Sequence, residues 1–235
     1  MQCNLPHIIK KCYFCALEKP SKVMTDDLFE SISQRGSVEE TPENIRIHEI
    51  ANELRRCCQL YEAQLRDSKE NVGRFEIEQR ATELYAKSNN LWIPIDNIFD
   101  LGVPGPSGNE NDLYVSNNLI YKVNNLLNSV SILSHFDKMI WHNTLFYETA
   151  YSFHAFTGIE GRSIMPVFVQ RLVKDSIPAT PIEIDTYMAA LGFSKKDSEG
   201  RFINQDYEVW DLLPRNVLKD SDGDIYIVDA EIKKI

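Results

Sequence analysis

The chain has 235 residues, 43% of them hydrophobic and 26% charged, the balance of a globular protein with a core and not of a disordered chain. A formal net charge of −10 argues against a broad nucleic-acid-binding surface, which needs an excess of Lys and Arg. No stretch supplies the ~20 apolar residues of a membrane helix, and the opening MQCNLPHIIKKCYFCALEKP is broken by Lys10 and Lys11 with no small-residue cleavage site after it, so a cytoplasmic protein is expected.

An odd count of five cysteines without an export signal favours free thiols. Cys12 and Cys15 form a C-x-x-C. It reads either as half a zinc site, which Cys3, Cys57, Cys58, His7 or His48 would complete, or as two idle cysteines. Zinc sites normally show a second spaced pair, and adjacent Cys57 and Cys58 within a helical pattern are poor partners for one metal.

In chain order, Thr25-Asp26-Asp27 before LFESISQ and Gly36 after Arg35 mark a short capped helix. Thr41-Pro42 opens a longer one, with Thr as N-cap and Pro at the first helical position. Ile47, Ile50, Ala51, Leu54, Cys58, Tyr61 and Leu65 recur at three- and four-residue steps and give it one apolar face. Gly73 breaks the pattern, and a second helix is expected from about Arg74 to Lys87. Both helices read as a packing module without chemistry of their own.

The texture changes at Leu91. LWIPIDNIFDLG reads as a strand entering a turn, and NDLYV and LIYKV as two further strands joined through Asn117-Asn118, residues that tolerate a tight hairpin turn. A Gly/Pro-rich loop containing Gly102, Gly105 and Gly108 lies between the first and second strands. Residues 130–156 have helical spacing and form one long helix or a helix running into a strand. Gly158 and Gly161 mark a turn before the strand SIMPVFVQRLV. Thr180-Pro181-Ile182-Glu183 is a capping box that starts a helix through Ala190, stopped near Gly192. RFINQDYEVW and DIYIVD read as later strands. The order has no repeated βαβ unit, which makes the fold class α+β. The division expected is a helical region over 1–90 and a mixed domain over 91–235.

Near the C-terminus the chain reads VWDLLPRNVLKDSDGDIYIVDAE. Asp211 stands five residues before Asn216, and Asp229 thirteen after it. DLLPRNVL is a short loop opening a strand, DSDGD a hairpin turn and IYIVD the return strand, so Asn216 and Asp229 are expected at one end of a hairpin. This arrangement resembles the catalytic loop and metal-binding Asp of the protein kinase-like superfamily. The form D-L-x-P-x-N-V-L is similar to that of aminoglycoside phosphotransferases, and closer still to the kinase domain of polyvalent proteins, the multi-domain proteins of phages and other mobile, conjugative elements. The resemblance spans about residues 91–235.

That resemblance implies a minimal kinase-like fold, with an antiparallel-sheet first lobe and a much reduced second lobe, preceded by the helical region. It implies ATP and magnesium as cofactors and a protein Ser, Thr or Tyr hydroxyl as acceptor. Asp211 would take or orient the hydroxyl proton, and Asn216 and Asp229 would bind the metal, an amide and a carboxylate being oxygen donors that magnesium accepts. Lys122 in LIYKV would hold the phosphates, with Glu148 as its acidic partner on the next helix. The loop at Gly102, Gly105 and Gly108 would cover the phosphates, or be a plain surface turn. The backbone of Gln170, Arg171 and Leu172 would face the adenine, or that strand would be core alone.

The chain departs from the superfamily pattern at Val209 and Leu213, where His is usual, and at Ala230-Glu231, where Phe-Gly is usual. Only six residues follow Asp229. Asp220, Asp222, Asp224 and Glu231 also imitate positions of a calcium-binding loop, but Ile225 stands where that loop needs Gly. Two functions therefore stay open: a phosphotransferase, and a catalytically inactive nucleotide-binding or protein-interaction module.

Overall fold

The computed structural model describes residues 41–68, 72–198 and 200–235. The short helix near residue 30 and the C-x-x-C, with Cys3 and His7, lie outside them. The chain divides into two compact units, residues 41–143 with 150–172, and residues 144–149 with 173–235.

The first unit opens with helices α1 (Pro42–Ser68) and α2 (Arg74–Ser88). Thr41 caps α1 through its hydroxyl, which accepts the N–H of Asn44 at 3.2 Å. The periodic apolar stripe of α1 is the buried one: Ile47, Ile50, Ala51 and Leu54 are each fully buried. A 3-10 turn (Ile95–Leu101), strands β1 (Val103–Pro104), β2 (Asn111–Ser116) and β3 (Leu119–Asn124) and helix α3 (Ile132–Leu145) follow. Strands β4 (Ser152–Ile159) and β5 (Ser163–Arg171) complete a five-stranded antiparallel sheet in the order β1-β2-β3-β5-β4. Asn117, at φ 56°, makes the β2–β3 turn. In β4, Gly158 sits at φ 139°, where an added Cβ would run into the Ser163 carbonyl oxygen.

The sheet and helices share one core in which Phe136 of α3 packs on Phe156 of β4 and Phe168 of β5, ring centroids 5.9 and 5.2 Å apart. Each such ring contributes roughly 1.5–3 kcal/mol by burial. Two polar side chains of α2 enter this core. Glu78 accepts the N–H of Leu133 at 3.0 Å, at the start of α3, and Gln79 accepts the N–H of Ile164 of β5 at 2.5 Å.

One expected strand is absent. LWIPIDNIFDLG makes a single parallel bridge, Trp92 to Phe156, and then the 3-10 turn. Pro94 has no N–H to extend a ladder, and its carbonyl instead accepts the N–H of Asn97 at 2.9 Å. Residues 130–156 resolve as helix, turn and strand.

The second unit holds a 3-10 turn (Tyr147–Thr149), β6 (Ile177–Pro178), helix α4 (Pro181–Ala190), β7 (Ser194–Lys195), β8 (Phe202–Ile203), β9 (Tyr207–Trp210), β10 (Val217–Lys219), β11 (Ile225–Ile227) and β12 (Glu231–Lys234). Its strands form two small antiparallel sheets, β11-β10-β6 and β12-β9-β8-β7. The Thr180–Glu183 capping box of α4 is formed as read. Among the described residues, no helix is long and apolar enough to cross a membrane.

Candidate active site

Two ladders fix the geometry of the second unit's loops. Val217 at the start of β10 pairs with Ile227 at the end of β11. Trp210 at the end of β9 pairs with Glu231 at the start of β12. Residues 211–216 and 228–230 are the two connections left between those ladders, so they must lie against each other. The N–H of Val228 donates to the Asn216 carbonyl at 2.9 Å, which sets Asp229 one residue beyond Asn216's neighbour. Asp211, Asn216 and Asp229 are thus gathered at one end of the β10–β11 hairpin by backbone pairing alone.

Asp211 is strained into the left-handed region, φ 61°. Its carbonyl accepts the N–H of Leu213 at 2.9 Å and the Asn216 Nδ2 at 2.9 Å. Its Oδ2 accepts the same Nδ2 at 2.8 Å, and its Oδ1 accepts Arg215 Nη2 at 2.7 Å. Because both Asp211 groups facing the Asn216 amide are acceptors, the amide nitrogen must point to them. The amide oxygen is turned away, and makes no hydrogen bond among the described residues. An amide oxygen and a carboxylate, the groups that Asn216 and Asp229 carry, are oxygen donors of the kind magnesium accepts.

The acidic turn next to it is accounted for differently. Asp220 Oδ1 accepts the N–H groups of Asp222 and Asp224, both at 3.0 Å, and its Oδ2 accepts the Tyr226 hydroxyl at 3.1 Å. Burial, then that bond and nearby acids, push the Tyr226 phenol up to about 12. Among the described residues no three His, Cys, Asp or Glu side chains gather as a metal cluster. Asp220 therefore ties a hairpin turn, as the β pattern of IYIVD requires.

Lys122 stands in the first unit, on β3, directly paired with Phe168 of β5. It is 8% exposed, and its Nζ donates to the Tyr151 hydroxyl at 2.7 Å. Glu148 was expected on the helix after Lys122. It lies beyond it, on the 3-10 turn of the second unit, because α3 ends at Leu145. Its turn is fastened to β11 by Thr149 Oγ1, which donates to the Ile227 carbonyl at 2.5 Å.

The glycine loop is tied along β2, although only Val103–Pro104 within it are strand. Gly102, at φ 154°, lies so close to β2 that a Cβ would meet the Val115 carbonyl oxygen. The Gly105 N–H donates to Leu113 O at 2.8 Å and that of Gly108 to Asn111 O at 3.0 Å. Gln170 and Arg171 pair with Ile120 and Leu119 in the sheet, and the Leu172 N–H donates to Asn118 O at 2.8 Å. Sequence reading missed Tyr151 and Arg215; the second was visible in DLLPRN as a cation four residues after Asp211.

Compared with known protein families, residues 76–234 match the family described as the serine/threonine/tyrosine kinase found in polyvalent proteins. The chain belongs to this family. No curated protein and no solved structure matches it. The match to the polyvalent-protein kinases begins at residue 76, inside α2, and so takes in Glu78 and Gln79 with the elements they hold. It also covers Lys122, Asp211, Asn216 and Asp229. At the position where His is usual in the wider superfamily, Val209 is fully buried and paired with Ile232.

Proposed function

We propose that the chain is an ATP- and magnesium-dependent phosphotransferase acting on a hydroxyl group, with a protein Ser, Thr or Tyr as acceptor. One observation carries this reading: the Asn216 amide nitrogen is locked by Asp211, which leaves its oxygen without a hydrogen bond among the described residues, at the loop end that also carries Asp229. Family membership supports the same reaction class.

Phosphoryl transfer needs alignment and charge neutralisation more than covalent help from the protein. Asp211 accepts or orients the proton of the attacking hydroxyl, using the lone pairs left beside the Asn216 and Arg215 bonds. Asn216 and Asp229 hold magnesium, which when bound neutralises phosphate charge. Lys122 supplies a positive charge to the phosphates. Gly108, where a Cβ would meet nothing within 4 Å, is the part of its loop left open to a ligand. The reading also takes the domain as minimal, with a small second lobe, in a cytoplasmic protein.

Phosphate transfer from radiolabelled ATP to mixed protein and peptide acceptors tests it with Asp211→Asn. Transfer should fall at least a hundredfold while nucleotide binding survives. Wild-type transfer in that variant would remove Asp211 from the mechanism.

A second reading has its own observations. Arg215 already occupies Asp211 Oδ1, and the Gly105 and Gly108 N–H groups are spent on the hairpin. An inactive nucleotide-binding or protein-interaction module would keep both features. Sustained turnover on any hydroxyl substrate refutes it.

A further inference from the structure

The structure assigns to Tyr151 a role as the positioning residue of Lys122, through which helix α3 sets where the lysine ammonium points. The inference rests on the reading that Lys122 serves the nucleotide phosphates.

A buried ammonium is costly unless hydrogen-bonded. Lys122 Nζ donates to the Tyr151 hydroxyl oxygen at 2.7 Å and lies 4.8 Å from the Tyr151 ring centroid. A hydrogen bond to a charged donor is among the stronger ones, and here it is shielded from water. Tyr151 is itself 2% exposed and held at two places. Its ring packs edge-on against His142, centroids 4.7 Å apart, and against Phe168 at 6.3 Å. Its backbone is clasped by one amide: Asn143 Nδ2 donates to Tyr151 O at 2.8 Å, and Tyr151 N donates to Asn143 Oδ1 at 2.7 Å.

His142 and Asn143 are consecutive residues of α3, each 1% exposed. Ring and backbone of Tyr151 therefore both hang from the end of one helix. Lys122 and Phe168 are directly paired across β3 and β5, so their side chains share a face of the sheet. Phe168 in turn packs on Phe136 and His135 of the same helix. A shift or rotation of α3 must move Tyr151, and with it the hydroxyl that holds the lysine. Tyr151 acts through Lys122 and need not touch the nucleotide.

The test is calorimetric titration of the full chain with MgATP, for wild type, Tyr151→Phe, Lys122→Ala, the double variant and Leu54→Ala. Tyr151→Phe keeps the ring and removes only the oxygen. It should weaken MgATP binding about tenfold, the size expected of a hydrogen bond to a charged group. The double variant should bind no more weakly than Lys122→Ala alone. Leu54→Ala, at a fully buried residue of α1 with no part in the contacts from α3 to Lys122, should bind within about twofold of wild type although it melts lower.

Wild-type affinity in Tyr151→Phe overturns the inference while leaving Lys122 in place, provided Lys122→Ala binds weakly. Additive losses in the double variant, or equal losses in Leu54→Ala and Tyr151→Phe, also overturn it. Unaltered affinity in Lys122→Ala removes the phosphate role of Lys122 and this inference together, as does a wild type that binds no MgATP.

Discussion

At the scale of single residues, Asp211 carries two demands. Its carboxylate ties Asn216 and Arg215, and its backbone must hold φ 61°. Asp and Asn tolerate that region because their short polar side chains bond locally, whereas Ala costs roughly 1–2 kcal/mol there. Asp211→Asn keeps an oxygen for the Asn216 amide and loses the charge and the acceptor that Arg215 uses. We expect it to be about 1 kcal/mol more stable than Asp211→Ala in urea titrations, and both to be inactive in transfer. Equal stability of the two would mean that the backbone relaxes freely. The Arg215 bridge adds little stability in either case, since its side chain is 65% exposed.

At the scale of elements, the caps were legible and the clamps were not. Thr41-Pro42 and the Thr180–Glu183 box announce their helices because a cap is a local bond between near neighbours. Glu78 and Gln79 look like ordinary surface residues of an exposed helix, yet they are 7% and 8% exposed and bond to backbone 55 and 85 residues away. Only the fold reveals such partners. Burial raises the Glu78 carboxyl above its usual value of 4.5, with the N–H groups of Leu133 and Ile132 opposing. A raised acid holds its proton longer in the folded state, so stability falls as pH rises from 4.5 through the folded value. Glu78→Gln keeps an acceptor for Leu133 without a buried charge. At pH 7 it should be as stable as wild type or more so, while Glu78→Ala loses about 1–3 kcal/mol by stranding that N–H. Thermal melts of the two variants decide it.

Glu183 carries the opposite sign. The Lys219 ammonium, 2.5 Å away, and the Thr180 bonds hold its carboxyl down at about 2 against a usual 4.5. Its contribution to folding is therefore complete above 4.5 and is lost as pH falls from 4.5 towards 2. The urea midpoint of wild type should drop over that window more steeply than that of Glu183→Gln. Parallel curves would show that the bond to Lys219 does not survive in solution.

At the scale of the molecule, the α+β class, the strands β2, β3, β5, β10 and β11 and the placing of Asn216 and Asp229 at one end of a hairpin were readable, whereas β4 stayed open between helix and strand and β6, β7 and β12 were not read. Spacing across one tight hairpin is a short-range fact. The 3-10 turn at Ile95–Leu101 was not readable, because apolar Leu91, Trp92 and Ile93 suit a strand as well as a single bridge. Nor was Tyr151, which lies 29 residues from Lys122 and reaches it only when β3 and β5 pair beneath α3. The α1–α2 pair was read as a module apart, yet both helices belong to the compact unit that holds Lys122. A groove of about 390 Å³ between them is lined by Cys57, Tyr61, Leu84 and Tyr85 among others, and none of its lining residues belongs to the candidate site.

The central claim is that Asn216 and Asp229 hold the magnesium of a bound nucleotide. Calorimetric titration of wild type and Asp229→Asn with ATP, with and without magnesium, tests it most directly. The account predicts magnesium-dependent binding in wild type, weakened at least tenfold in the variant, whose amide cannot match a carboxylate at a hard cation. Binding that ignores magnesium, or an Asp229→Asn protein that binds MgATP as wild type does, would contradict it.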